Sequence, residues 1–417
     1  MDRLADHQRS GGVRMVSRRV LLLGLLLVGC GDGEPSADVP GFVEVAIGSD
    51  VSQVTGLYFL PDSDELLLPT RVGTVEHHQL IRGGSRTRLI GSFEVPVHAE
   101  TDCGLISLAF DPEFASNGWI YLGHCTSLSH SAIGRVTFDP DDPVATAASY
   151  VTILELGHDD AEQPWHNVGA LGFDDEGALL ALFGDKTIPA LAQDSTSPLG
   201  GIVRLFPSRS EDVGGYTLPD DPAYGSEGSP LLWAKGLRSP WTGFLDHEGR
   251  MIVGDVGQGA YEEVDVIQEP GANLGWPLHE GPCMESCEGF VDPVRSWNRS
   301  ETHPFVLADP DAVLDWPRVA WVAPGVPPGL ANPYDDALSG VVLYGDLCVG
   351  FVRVLELDSN GAVVRDEALG HLANATGWDV GPHGDLYAVT FADRCTTSPG
   401  ASYGRSRLYR LLPTSTP

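Results

Sequence analysis

"LGFDDEGALLALFGD" (171–185) decides the fold. An apolar run, Leu171 to Phe173, meets an Asp-Asp-Glu-Gly turn. A second apolar run, Ala178 to Phe183, then carries the chain back. Short apolar runs joined by turn-forming residues read as β-hairpins. The same pattern occurs in "GLYFLPDSDELLLPT" (56–70), "SLAFDPEFASNGWIYLGH" (107–124) and "GFLDHEGRMIVGD" (243–255), and again in "VRVLELDSNGAVV" (352–364) and "WDVGPHGDLYAVT" (378–390). Beyond the apolar run at 20–28, no stretch sustains a 3.6-residue apolar period.

Six such units in one chain suggest radial repetition, since a lone hairpin sheet leaves apolar faces bare until its neighbours cover them. The expected fold is all-β, a six-bladed β-propeller of four-stranded antiparallel blades occupying residues 42–413. Each quoted hairpin would be the centre of one blade. The terminal strands, near 42–48 and 406–413, would share a blade. A pair of large β-sandwiches is the alternative architecture. The longest insertions, 186–232 and 271–340, would build the walls of the channel mouth, where loops from every blade converge.

The 417 residues carry a formal charge of −33, and only Lys186 and Lys235 among the 25 basic residues are lysines. That balance excludes nucleic acid as a partner, because phosphate binding needs clustered cations. At the N-terminus, "SRRVLLLGLLLVGC" joins Arg18 and Arg19 to an apolar run and then Gly29-Cys30. A basic segment followed by a short apolar stretch is an export signal. Leu27 to Cys30 resembles a bacterial lipobox, and "SRRVLL" resembles a twin-arginine motif. Residues 1–30 are therefore expected to be an export signal with Met15 as a possible start. Cys30 would be the lipid anchor on the periplasmic or outer face of a bacterial membrane, and residues 31–41 a flexible tether. The remaining cysteines, at 103, 125, 283, 287, 348 and 395, suggest three disulfides in an exported chain. Cys283 and Cys287 would pair within "CMESC". The other four allow three connectivities, of which Cys103–Cys125 and Cys348–Cys395 join near neighbours.

Several stretches in order point to one family: "CGLISLAFDPEFASNGWIYLGHC" (103–125), "HNVGALGFDDEGALLALFGD" (166–185), "GGIVRLFP" (200–207), residues 231–281 and "LSGVVLYGDLCVGFVRVLELD" (338–358). Over most of 42–413 they resemble the glucose/sorbosone dehydrogenase family. That family includes soluble sugar dehydrogenases using pyrroloquinoline quinone (PQQ) and the propeller of hedgehog-interacting proteins. The resemblance implies the six-bladed propeller, an aldose-type sugar substrate, an electron acceptor, PQQ and Ca2+.

By the same resemblance His166 is the general base for the anomeric hydroxyl, and Asp185 the carboxylate behind it. A neutral imidazole is a base near pH 7, and a carboxylate partner fixes its tautomer. Arg238, in "GLRSP", would lie against the quinone, beside Ser239 where the family has asparagine. "GDVGQGAYEEVDVI" (254–267) resembles a calcium stretch, with carbonyls of Gly257 and Gln258 and the carboxylates of Asp255 and Glu262 as expected ligands. Calcium takes six to eight oxygens, which a Gly-rich turn supplies without strain. "NLGWP" (273–277) reads as structural, with Trp276 packed between blades. Tryptophans at 165, 297, 316 and 321 would line the mouth or fill the core.

The family's lysine and arginines for the cofactor carboxylates fall on Leu347-Cys348, Thr376 and Trp378, where nothing basic stands. Trp378 is kept as a cofactor contact. Lys186, Arg394, Arg405 or Arg407 would supply the missing charge, and Asp102 replaces a family acidic or amide residue. The alternative function is a lipid-anchored, calcium-containing propeller that binds glycans or a protein without oxidation.

Overall fold

In the computed structural model, which describes residues 41–210, 213–298, 318–391 and 404–413, the hairpins extend into six antiparallel sheets. Blade 1 comprises Tyr58–Phe59, Glu65–Pro69, Thr74–Ile81 and Arg86–Glu94. Blade 2 comprises Leu105–Phe110, Trp119–Cys125, His130–Thr137 and Val151–Gly157. Blade 3 comprises Val168–Phe173, Leu179–Phe183, Gly201–Pro207 and Leu232–Lys235, with Tyr216–Thr217 added to its third strand. Blade 4 comprises Pro240–Leu245, Met251–Asp255, Tyr261–Ile267 and Arg295–Asn298. Blade 5 comprises Ala320–Pro324, Val342–Asp346, Phe351–Leu357 and Val363–His371. Blade 6 comprises Ala375–Val380, Leu386–Thr390, Arg407–Leu411 and, from the other end of the chain, Phe42–Val45. First strands of successive blades touch from blade 2 round to blade 6 and from blade 6 to blade 1, while the second strand of blade 1 meets the first strand of blade 2. The molecule is a six-bladed β-propeller. Asp38–Pro417 is one compact unit.

Why the quoted run is apolar at every position is now plain. Along Leu179–Phe183, Leu179, Ala181 and Phe183 pack against blade 2, while Leu180 and Leu182 pack against blade 4. Side chains alternate between faces, so a strand buried on both faces shows no polar alternation. Six apolar clusters, one at each blade interface, repeat this arrangement around the ring. The ring closes as the sequence suggested: Phe42 to Val45 pair with Leu411 to Leu408.

Five of the quoted hairpins are the first and second strands of a blade. Residues 352–364 are not; they join the third and fourth strands of blade 5. The first hairpin of that blade is linked by the long 325–341 connection, which has no compact turn signal. The insertions also divide. Residues 186–200 follow a second strand and lie at the end where first strands begin. Residues 208–210, 213–231 and 325–341 lie at the opposite end, with Asp174, Asp221 and Trp233 in the wall of a cavity of about 490 Å³ beside 219–231.

The disulfides Cys103–Cys125 and Cys283–Cys287 are formed, with Cα separations of 5.5 and 5.6 Å. Cys348 is disulfide-bonded. Cys395, the expected export signal and lipid-anchor Cys30, most of the expected tether, Trp316 and Arg394 lie outside the described residues.

Candidate active site

His166 stands just ahead of the first strand of blade 3, and Asp185 just past the end of the second. Val168 and Phe183 face each other across the ladder, and the Gly184 amide donates to the Asn167 carbonyl at 3.0 Å. The two loops are thereby held edge to edge. Gly184 permits the approach: a Cβ there would sit 2.5 Å from the His166 carbonyl oxygen. His166 itself is in the left-handed region, at φ 52°. A non-glycine residue in that region is tolerated only where its surroundings fix it.

His166 Nδ1 lies 2.6 Å from Asp185 Oδ1. The carboxylate is fully buried and accepts two further bonds, from the Thr187 amide and from the Trp276 indole Nε1, each at 2.8 Å. An ionised carboxylate accepts only, so Nδ1 carries the proton and the ring's basic nitrogen is Nε2. His166 keeps slight exposure. Asp185 also ties the site to blade 4, because its amide donates to the Arg238 carbonyl at 2.9 Å. The Arg238 guanidinium donates to the Val256 carbonyl at 2.8 Å and lies 5.6 Å from the Trp276 ring centre. A continuous set of contacts thus joins His166, Asp185, Trp276 and Arg238. Trp276, expected to be only packing, is the residue the sequence reading missed. Its signal was the rule that a buried indole N–H seeks an acceptor.

Asp255 accepts the amides of Arg238 at 2.8 Å and Ser239 at 2.7 Å, so Ser239 enters the site through its backbone. Burial nevertheless raises the Asp255 carboxyl to about 7. Directly across the ladder from Asp255 is Glu263, and Asp265 follows two residues on along the same face. Burial, then the charge of Asp255, lifts Glu263 to about 8. Burial likewise raises Asp265, both of whose oxygens have no hydrogen-bond partner among the described residues.

Of the expected calcium ligands, Glu262 and Asp255 lie on opposite faces of blade 4. Glu262 points to the face where it accepts the Ala320 amide of blade 5 at 2.6 Å. It therefore stands apart from Asp255, and the carboxylates on the Asp255 face are Glu263 and Asp265. In the turn after Asp255, Glu280 Oε1 accepts the amides of Gln258, Gly259 and Ala260 at 2.7, 2.8 and 2.9 Å and that of Tyr261 at 3.3 Å. Burial alone would raise the Glu280 carboxyl, but these amides hold it below its ordinary value. Among the described residues no group of three or more His, Cys, Asp or Glu side chains is close enough to hold a metal ion.

The substitute cofactor contacts fare differently. Lys186 is fully buried, donating to Ser131 Oγ at 2.8 Å and Asn167 Oδ1 at 2.7 Å. Burial lowers its ammonium to about 8. It presents no surface to a cofactor carboxylate. Arg405 donates to the Ser49 carbonyl and pairs with Asp50. Arg407 lies within the third strand of blade 6. The indole of Trp378 stacks on Trp321 at 4.9 Å, within the packing of blades 5 and 6. Asp102 is exposed beside the site, its carbonyl accepting from Asn167 Nδ2 at 3.4 Å. Trp165, next to His166, is largely exposed, whereas Trp297 and Trp321 are core residues.

A family model described as Glucose / Sorbosone dehydrogenase matches residues 51–395. The chain is 30% identical over 259 residues to the HIPL1 protein of Arabidopsis thaliana, covering 48% of this chain and 37% of that protein. It is 27% identical over 253 residues to the aldose sugar dehydrogenase YliI of Escherichia coli (strain K12), covering 57% of this chain and 63% of that protein. The chain thus spans less than two thirds of the length of these relatives. Among solved structures, the PQQ-bound aldose sugar dehydrogenase (Adh) from Streptomyces coelicolor superposes with a TM-score of 0.65 at 22% identity, covering 89% of this chain and 97% of that one. The apo soluble aldose sugar dehydrogenase of Escherichia coli gives 0.66 at 20% identity, covering 88% and 98%. At these identities the likeness is one of fold.

Proposed function

From the premise that the chain belongs to the glucose/sorbosone dehydrogenase family, we propose that it is a PQQ-dependent dehydrogenase of an aldose-type sugar, oxidised at the anomeric carbon. The observation that carries this reading is the imidazole–carboxylate pair of His166 and Asp185, 2.6 Å apart in the loops beside the first two strands of blade 3. Oxidation of a hemiacetal to a lactone removes one proton from the hydroxyl and one hydride from carbon. His166 Nε2 takes the proton. Asp185 holds Nδ1–H and stabilises the imidazolium that forms, its other bonds from Trp276 and Thr187 fixing its plane. The quinone, when bound, supplies the hydride-accepting oxidant. Arg238, held by the Val256 carbonyl beside the Trp276 ring, is the cation we propose for stabilising negative charge on a bound group.

For calcium we propose the Asp255 face of blade 4 as the place. Asp255, Glu263 and Asp265 do not converge there as a ligand set, but their buried carboxyls, with the two orphaned oxygens of Asp265, are an excess of acid that a divalent cation nearby would let ionise. The carbonyls of Gly257 and Gln258 are the mouth-side candidates. We further propose export and lipid anchoring at Cys30, supported by the Arg18-Arg19 and Leu27 to Cys30 patterns. Cys30→Ser should move the protein from the membrane fraction to the soluble one.

A second reading, a propeller that binds a glycan or a protein without oxidising it, is favoured by one observation: Leu347, Cys348, Thr376 and Trp378 put no cation where a tricarboxylate would pair. Titration with PQQ in the presence of calcium separates the two. Under the dehydrogenase reading the protein binds the quinone and reduces a dye when given aldoses. His166→Ala then loses at least ~10²-fold in rate, the scale of a general base. No quinone binding and no activity over a broad sugar panel would leave the binding reading.

A further inference from the structure

We propose that Lys186 is a positioning residue for His166, riveting the histidine's loop from behind while its neighbour Asp185 holds the ring from the side. The inference rests on the dehydrogenase reading for its kinetic consequence and on geometry for everything else.

Two loops meet here, 164–167 and 184–187, and three bonds cross-link them. The first is the His166–Asp185 pair at 2.6 Å; the second is the Gly184 amide on the Asn167 carbonyl at 3.0 Å. The third is Lys186 Nζ on Asn167 Oδ1 at 2.7 Å. Asn167 passes the constraint on, since its Nδ2 donates to the Pro164 carbonyl at 2.8 Å, two residues before the histidine. Lys186 Nζ also donates to Ser131 Oγ of blade 2 at 2.8 Å, so the loop is tied to the neighbouring blade as well.

The conformation being held is an unfavourable one. His166, Lys186 and Thr187 have φ of 52°, 52° and 63°, the left-handed region that side chains disfavour. The residue doing the holding is also unfavourable where it sits. Lys186 has no carboxylate partner among the described residues, and a buried ammonium without one is costly. An apolar side chain would fill the same space without that cost. What the ammonium adds is charge-assisted bonds, which are shorter and stronger than neutral ones. A small displacement of a general base is expensive in rate, so the site gains from a stiff support.

The test compares Lys186→Met, Lys186→Gln and Asn167→Ala with the parent chain, all loaded with calcium and PQQ. Lys186→Met should lower kcat by about 10-fold or more while KM for the sugar and the affinity for the quinone stay unchanged. Lys186→Gln, which keeps a donor, should recover part of the loss. Because the two residues share one of these bonds, Lys186→Met combined with Asn167→Ala should cost less than the sum of the two single losses. A readout independent of turnover is the downfield proton resonance of His166 Nδ1–H, held by Asp185 in the parent. It should broaden or vanish in Lys186→Met. If every variant keeps the parent's kcat and that resonance, the proposal fails. Should Lys186→Met not fold, Lys186→Gln and Asn167→Ala decide by the same two measurements. Should the parent oxidise no aldose, the dehydrogenase reading falls, and the resonance still decides the role of Lys186.

Discussion

The indole of Trp276 acts on the base without touching it, because its Nε1 donates to the carboxylate that receives His166 Nδ1. Trp276→Phe keeps most of the ring and removes the donor, leaving Asp185 Oδ2 buried and one bond short. Such a loss costs about 1–3 kcal/mol in general, and part of it would fall on the orientation of the imidazole. The expected outcome is a roughly 10-fold lower kcat with KM unchanged, measured by dye reduction. An unchanged kcat would assign Trp276 to packing alone. His166 and Asp185 were legible in the sequence because a hairpin returns the chain to the level it left. Trp276 was not, since its bond spans 91 residues from a loop whose path no local pattern fixes. Lys186 was legible as a cation, but its destination, inward toward Ser131 and Asn167, depends on the backbone of Lys186 and Thr187 turning left-handed where neither is glycine.

In blade 4, the strands Met251–Asp255 and Tyr261–Ile267 place Asp255, Glu263 and Asp265 on one face. Which of Glu262 and Glu263 shares a face with Asp255 is hidden in a doubly buried strand. With apolar neighbours on both sides, "YEEVDVI" has no polar face to reveal which glutamate turns toward Asp255. Burial raises Asp255 to about 7 from 3.8, and burial with the charge of Asp255 raises Glu263 to about 8 from 4.5. An acid whose folded value is raised lends stability that is complete below its ordinary value and is lost as pH climbs through the folded one. Without calcium, the melting temperature should therefore fall between about pH 4 and pH 8. Saturating calcium should remove most of that fall, since a cation that binds only the folded state stabilises it and favours the ionised carboxylates. Asp265→Asn should weaken the calcium effect. Melting curves with calcium and with a chelator, over that pH range, check this. A calcium-independent profile would remove the ion from this face. The same pair of strands shows what hairpin patterns convey. Compact turns marked five first hairpins correctly, and blade 5 escaped because its first two strands are joined by the long 325–341 connection.

At the scale of the whole molecule, the ring is closed by the chain's two ends. Phe42–Val45 completes blade 6 beside Arg407–Leu411, and its side chains serve two interfaces: Phe42 packs between blades 5 and 6, Val45 between blades 6 and 1. Closure was readable because "FVEVAIG" and "SRLYRLLP" each look like one strand without a partner hairpin. In that blade Phe42–Val45 is the outermost strand, paired on one side with Arg407–Leu411. The site lies elsewhere on the ring, in the loops of blades 3 and 4, held by bonds among His166, Asp185, Trp276 and Arg238 that do not involve blade 6. Seam and site should therefore separate under mutation. Phe42→Ala removes a buried ring from the seam and should cost about 3–5 kcal/mol. That cost should appear in the midpoint of denaturant unfolding. In folded protein below the transition, kcat and KM should match the parent, because a ring of blades passes strain mainly to the nearest neighbours. A drop in kcat as large as that of Trp276→Phe would show instead that closure tension reaches the histidine's loop, and that the six blades act as one spring rather than as six adjoining sheets.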